Sequence, residues 1–377
     1  MPAADDSRPG VLRRLLGGGN WAYALVPFIP IAVGLELFHA GAVAIFVASA
    51  LGIIPTAALM GRATEELADR AGPGIGGLLN VTFGNAPELI IALFALGAGL
   101  QEVVKASLVG SILGNILLVL GAAMVVGGRK RERQYFNRTA ATAQASMLLL
   151  AAAALIMPAV YELVEGRGLP SPTAERIDYG PTVEHLSFAV AIVLILSYVA
   201  GLVFSLRTHK DLFNPPSDDE TGHEVWSIRK SVVALGVAGV AVAGMSEILV
   251  GSISEAASSI GLSEFFIGVI VIAIVGNAAE HWVAVLVASK DKMDLAVNIA
   301  IGSSAQIALF AAPVLVLISF VLGPSPMPLV FNGFELAAVL IAVTIAINVT
   351  NEGESTWFEG VQLLATYLVL ALAFLFA

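Results

Sequence analysis

Long apolar runs separated by short polar breaks fill this chain of 377 residues from position 21 to its end. A hydrocarbon core about 30 Å thick takes roughly 20 apolar residues per helix. On that scale eleven runs qualify: 21–38, 42–62, 75–100, 103–127, 139–160, 185–206, 231–251, 264–288, 295–321, 333–349 and 360–377. They are continuous and lack the apolar/polar alternation of barrel strands, which predicts helices. The expected fold is an all-α polytopic membrane protein with eleven transmembrane helices. Gly17-Gly18-Gly19-Asn20 precedes a full-length first span, which therefore reads as a retained helix and not a cleaved signal.

The charges between the runs set an orientation. With the N-terminus placed in the cytoplasm and the C-terminus outside, only Lys105, Arg167 and Arg176 of the 19 Lys and Arg residues fall on the outer side. Positive charge favours the cytoplasmic face, and a miscounted helix would scatter these residues over both faces. A prokaryotic inner membrane is the expected location.

The chain repeats itself. Gly84-Asn85-Ala86-Pro87-Glu88 recurs as Gly276-Asn277-Ala278-Ala279-Glu280, and at the same separation Gly110-Ser111 recurs as Gly302-Ser303. Upstream, the stretch ending in Glu65 pairs with the stretch ending in Glu255. Each unit holds five helices, an odd number, so the two enter the membrane from opposite sides. Such inverted repeats place a binding site at the midplane between the halves. The organisation expected is a tail and peripheral first helix (1–41), a first five-helix repeat (42–206), an acidic cytoplasmic linker (207–230) and a second five-helix repeat (231–377).

Composition removes other classes. The chain is 58% hydrophobic and 13% charged, about half the charge of a soluble domain. It has no cysteine, which excludes disulfides, thiol nucleophiles, zinc-thiolate and iron-sulfur sites. A net charge of −10 argues against a nucleic-acid partner. The lipid bilayer and small ions remain as partners, and no cofactor is expected.

Against that background the intramembrane acids are the candidate chemistry. A charged side chain at the bilayer centre costs at least about 2.5–3.5 kcal/mol, yet Glu88 and Glu280 sit within apolar runs at matched positions. Asn85 and Asn277 lie three residues before them on the same helical face. Gly84 and Pro87 predict a break in the third helix. Ser111 with Asn115, and Ser303 with Gln306, line single faces of the fourth and ninth helices. All of these are hard oxygen donors, which suit calcium better than magnesium or soft metals. Two carboxylates neutralise one divalent ion; when it leaves, protons are the replacement that keeps a low-dielectric site near neutral. Glu65 and Glu255, at helix ends on opposite faces, either conduct ions to the two mouths or touch headgroup water. His281 either passes protons or satisfies a neighbour.

Gly84-Asn85-Ala86-Pro87-Glu88-Leu89-Ile90 with Lys105-Ala106-Ser107-Leu108-Val109-Gly110-Ser111, and Gly276-Asn277-Ala278-Ala279-Glu280-His281 with Gly302-Ser303-Ser304-Ala305-Gln306, resemble the two signatures of the calcium/proton antiporters, a branch of the calcium/cation antiporter superfamily. The resemblance runs from about residue 42 to the C-terminus. It implies eleven helices, a peripheral first helix and an acidic connection between the sixth and seventh. It further implies that Glu88 and Glu280 carry calcium and protons, that Asn85, Asn277, Ser111, Ser303 and Gln306 line the site, and that Glu65 and Glu255 lie along the access route. One departure is Gly114, where many relatives have a hydroxyl residue. The expected function is calcium/proton exchange by alternating access, not enzymatic turnover. The alternatives are a sodium/calcium exchanger, against which Asn85 and Asn277 stand where those relatives carry Ser or Thr, and a passive cation channel, against which stands a site built from two inverted halves.

Overall fold

The computed structural model describes residues 21–172, 178–209 and 226–377, apart from the side chains at 72–75, 77–78 and 80–81. The expected N-terminal tail and most of the expected linker lie outside the described residues. Among the described residues nine helices are long and apolar enough to cross a membrane, and two shorter apolar helices accompany them. In chain order the helices are α1 (Trp21–Leu37), α2 (Ala42–Phe83), α3 (Ala86–Gly97), α4 (Gln101–Gly128), α5 (Arg138–Val164), α6 (Pro181–Thr208), α7 (Ile228–Ile260), α8 (Glu264–Ser289), α9 (Met293–Ser319), α10 (Gly333–Glu352) and α11 (Trp357–Leu375). Each overlaps one predicted run except α2, which covers the second run and enters the third. A two-residue antiparallel pair, β1 (Gln134–Tyr135) with β2 (Glu354–Ser355), joins the α4–α5 and α10–α11 connections, a small departure from an all-helical chain.

Local chemistry sets the helix ends. Asn137, Ser227 and Ser263 cap α5, α7 and α8 by accepting a backbone N–H three residues on. Asn332 and Thr356 form capping boxes with Glu335 and Glu359, so these two glutamates mark helix starts, as position alone suggests. Gly261 ends α7 at φ 72°, a left-handed conformation that glycine adopts without steric cost.

The second and third runs differ from expectation in their connection. The polar stretch between them, rich in the helix formers Glu, Leu, Ala and Arg, stays helical, so α2 is continuous through Phe83. Eight residues of straight helix would separate Ala68 from Gly76 by about 12 Å. Instead a Cβ at Gly76 would lie 2.9 Å from the Ala68 carbonyl carbon, so the helix folds back on itself there. The helix continues through 76–83, breaks at Gly84–Asn85 and is followed by α3.

Helix pairing follows the repeat. α2 lies on α7, α3 on α8, α4 on α9 and α5 on α10; α2 also meets α8 as α7 meets α3, and α6 meets α9 as α11 meets α4. Exchanging each of α2–α6 with the helix five further along leaves this scheme unchanged. α1 packs on α2 and α7, at the edge. α4 forms the centre: from Gln101 to Gly121 only Ser107 and Leu118 are not fully buried. It crosses α8 where a Cβ at Gly268 would lie 2.9 Å from the Ala106 methyl and one at Gly110 would meet the Val269 carbonyl. Backbones that close need small residues, the usual means of packing membrane helices.

Candidate cation site

Four helices, α3, α4, α8 and α9, bring all eight predicted ligand residues into one region. The break at Gly84–Asn85 starts α3 afresh, with Pro87 in its first turn, where a missing N–H has no consequence. Glu88 therefore stands in the first turn of a helix, after the break that Gly84 and Pro87 predict. Asn85 is buried and takes the N-cap position without capping. Its Nδ2 instead donates to Gln306 Oε1 on α9 at 2.8 Å.

The second half is arranged comparably. Asn277 on α8 donates from Nδ2 to Ser111 Oγ on α4 at 3.0 Å and to the Ala273 carbonyl at 2.9 Å. Ser303 on α9 donates to Glu280 Oε2 at 3.3 Å. His281 Nε2 lies 3.2 Å from Asn115 Oδ1. Glu88 packs against α8: a Cβ at Gly276 would lie 3.2 Å from Glu88 Cγ. That Cβ position is about 6 Å from the Cβ of Glu280, one turn on, and the two carboxylates feel each other's charge. Glu88, Ser107 and Ser111 share a narrow cavity with Ile272, Ile307 and other apolar side chains.

Asn85 and Asn277 spend N–H groups on neighbours and leave their oxygens over, whereas Asn115 Oδ1 faces His281 and its Nδ2 is buried without an acceptor among the described residues. Asn85 Oδ1, Glu88 Oε2 and Asn277 Oδ1 are buried and accept no hydrogen bond among the described residues. Buried polar atoms are nearly always satisfied, so three unmet acceptors in one region mark it as the candidate site. No group of three or more His, Asp or Glu able to hold a metal occurs among the described residues. A cation here would draw on two carboxylates, amide oxygens and hydroxyls.

π turns flank these side chains: Gly114–Val119 in α4, Ile267–Ile272 in α8, and Asn298–Gly302 and Ile307–Ala311 in α9. Such turns are frequent at functional sites, and here each resets the face presented by the residues beside it. Glu65 and Glu255 are both exposed, on α2 and α7. Glu65 lies within electrostatic reach of Glu280. No hydrogen bond among the described residues joins Glu255 to the network. His281 sits inside the network, beside Gly114, where its Cε1 would lie 3.8 Å from a Cβ.

Sequence reasoning missed two features. Lys105, counted among the outer charges, is fully buried with Glu102, Tyr179 and the Val330 carbonyl; the (i, i+3) spacing of Glu102 and Lys105 was the available signal. Gln144 of α5 donates to Asn298 of α9, two polar residues within apolar runs.

The comparisons agree with this architecture. The profile of the sodium/calcium exchanger protein family matches residues 41–207 and 230–376. The chain is 44% identical to a Ca(2+)/H(+) antiporter of Synechocystis, over 93% of this chain and 96% of that one. It is 45% identical to the Ca(2+)/H(+) antiporter ChaA of Bacillus subtilis, over 92% and 96%. The solved structure of native YfkE superposes with a TM-score of 0.79 at 42% identity, covering 94% of this chain and all of that one. By fold, sequence and motif, this integral multi-pass membrane protein belongs to the sodium/calcium exchanger protein family, within the calcium/proton antiporters of the calcium/cation antiporter superfamily.

Proposed function

We propose that the chain exchanges calcium for protons by alternating access, with Glu88 and Glu280 holding the divalent ion and protons in turn. The observation that carries this reading is the set of unmet oxygens on Asn85, Glu88 and Asn277, drawn from both halves of the repeat. Calcium takes 6–8 oxygens at about 2.3–2.6 Å and tolerates irregular geometry; with Ser111, Asn115, Ser303 and Gln306 nearby, amides, hydroxyls and carboxylates supply that kind of shell. Two carboxylates balance one calcium. When it departs, two protons restore neutrality, while the bare dianion is penalised by like charge in a low dielectric. Either loaded form crosses between inward and outward states; the empty one does not, which couples the two fluxes.

In this reading the chain is eleven helices, α1 at the periphery and two inverted five-helix repeats, with a cytoplasmic N-terminus, an outer C-terminus and a prokaryotic inner membrane as host. Glu65 and Glu255 line the two mouths. His281, beside Asn115, is a proton-passing neighbour of the pair.

The test is calcium uptake into inverted vesicles under an imposed pH gradient. Wild-type protein takes up calcium in proportion to the gradient, and Glu88→Gln and Glu280→Gln abolish uptake while remaining inserted and monodisperse. Full pH-driven uptake by either variant removes that carboxylate from the mechanism. Sodium-driven uptake indifferent to the pH gradient removes the proton.

A further inference from the structure

The two halves bring matched serines, Ser111 and Ser303, to the site, yet the serines make different contacts. Ser303 donates to Glu280 Oε2 at 3.3 Å, within its own half, whereas Ser111 accepts from Asn277 of the other half. The backbone before them differs too. α4 is regular α-helix from Gln101 to Leu113, while α9 carries a π turn at Asn298–Gly302, immediately before Ser303. In the repeat register that turn lies opposite 106–110. The second π turn of α9, Ile307–Ala311, lies opposite the Gly114–Val119 turn of α4. Of the two, only the first is peculiar to α9. A π turn takes in one residue more than an α turn, so the residues beyond it present faces rotated by about 100° from those of an unbroken helix. Ser303 is the first residue past the shift.

The side chains around this turn are equally one-sided. Asn298, its first residue, accepts from Gln144 Nε2 on α5. The amide pair lies over the turn's last residue: a Cβ at Gly302 would stand 3.2 Å from Gln144 Nε2 and 3.4 Å from Asn298 Oδ1. The matched Gly110 is met instead by the α8 backbone at Val269. Ser304 donates to the Ala300 carbonyl inside the turn at 2.9 Å. Opposite Asn298 and Ser304 the first half has Ala106 and Ile112, which have no polar side-chain group. A break in regular helix has an identifiable local cause, and here the polar groups and the π turn occur together in one half and are missing together from the other.

We propose that Gln144 is a positioning residue for calcium binding: by holding the Asn298 amide over Gly302 it keeps the 298–302 turn, and the turn aims the Ser303 hydroxyl at Glu280. Gln144 acts through Asn298 and Ser303 and has no contact with the ion itself. The Glu280 carboxylate, fixed by the hydroxyl, meets the cation in one orientation. The proposal rests on Glu280 binding the cation, as read above.

The experiment uses Gln144→Met, which keeps the length of the side chain and loses its N–H donor. Calorimetric titration in detergent gives the calcium Kd, and pH-driven uptake into inverted vesicles gives the calcium KM and the maximal rate. Kd and KM rise together about tenfold, the worth of one hydrogen bond to a charged group, and the rate at saturating calcium is kept. Ser303→Ala raises both constants to the same extent, and Gln144→Met adds nothing further on that background, because the two act in series. Wild-type affinity in Gln144→Met overturns the proposal. So do a lowered maximal rate with KM unmoved, which marks a merely structural role, and losses that multiply in the double variant. If Gln144→Met is not monodisperse, Asn298→Leu carries the same cycle with Ser303→Ala. Exchange that persists in Glu280→Gln refutes the underlying reading; exchange lost there, with wild-type affinity in Gln144→Met, refutes the positioning role alone.

Discussion

Gly276→Ala tests the geometry of the site without touching a ligand. The added methyl would stand 3.2 Å from Glu88 Cγ, 3.7 Å from Ile91 Cδ1 and 3.8 Å from Glu88 Cδ. The two longer contacts are ordinary; the first is not, so Glu88 must yield by a few tenths of an ångström. Its carboxylate has no hydrogen bond on Oε2 to resist that movement. The cost therefore falls on the side-chain rotamer, about 0.5–1.5 kcal/mol for an off-rotamer χ. At 1.4 kcal/mol per decade, a 1 kcal/mol loss weakens calcium binding about fivefold. Calorimetric titration of calcium into purified protein measures this directly, and pH-driven uptake shows a matching rise in KM. Gly244→Ala is the control: nothing lies within 4 Å of its Cβ position on α7, so affinity stays put. Wild-type calcium affinity in a well-folded Gly276→Ala protein would refute the reasoning, because a ligand pressed by a new methyl cannot keep its geometry unchanged.

Two further substitutions probe the frame around the site. Gly110→Ala sets a Cβ 2.6 Å from the Val269 carbonyl carbon and 2.8 Å from the Ala273 methyl; neither neighbour can rotate away, so α4 and α8 must separate, and thermal denaturation in detergent should register a loss of about 3 kcal/mol or more. Lys105→Met strips Glu102 of its buried counter-charge, an uncompensated burial worth about 3–5 kcal/mol; the double variant with Glu102→Leu recovers most of the loss in the same assay, giving a strongly favourable coupling term in the double-mutant cycle.

Every helix was legible in the sequence because the period and length of an apolar run are set by the bilayer itself. The helix ends were less so. Glu65-Glu66-Leu67-Ala68-Asp69-Arg70 reads as a polar loop by hydropathy, yet its residues favour helix, and α2 runs on through it to Phe83. The π turns beside Asn115, Asn277 and Ser303 leave no mark that a single sequence reveals, since one extra residue in a turn alters no composition. Six of the eight candidate residues, Asn85, Glu88, Ser111, Asn277, Glu280 and Ser303, stand out because the repeat sets like residues at matched positions; Asn115 and Gln306 stand out only by their place on the same helical faces. Lys105 and the Gln144–Asn298 pair were missed for the converse reason: each belongs to one half only, with Val297 standing opposite Lys105 and Ala106 opposite Asn298 in the repeat register.

That one-sidedness extends into the site. Matching the halves residue by residue sets Gly114 against Gln306 and Asn115 against Ile307. Two like halves around one ion would present like groups, and with side-chain amides on both sides each would compete for the same donors. The absence of a side chain at Gly114 removes one claimant. Asn277 then pairs with the compact Ser111 hydroxyl, while Asn85 reaches across to Gln306. The room left over Gly114 receives the His281 ring, which finds its partner in Asn115. Asn85 and Asn277 thus each give an N–H to a different neighbour and leave Oδ1 without a donor among the described residues. The departure at position 114, taken from the motif alone, puts a ligand there in doubt; in the structure the space beside it is taken by the His281 ring.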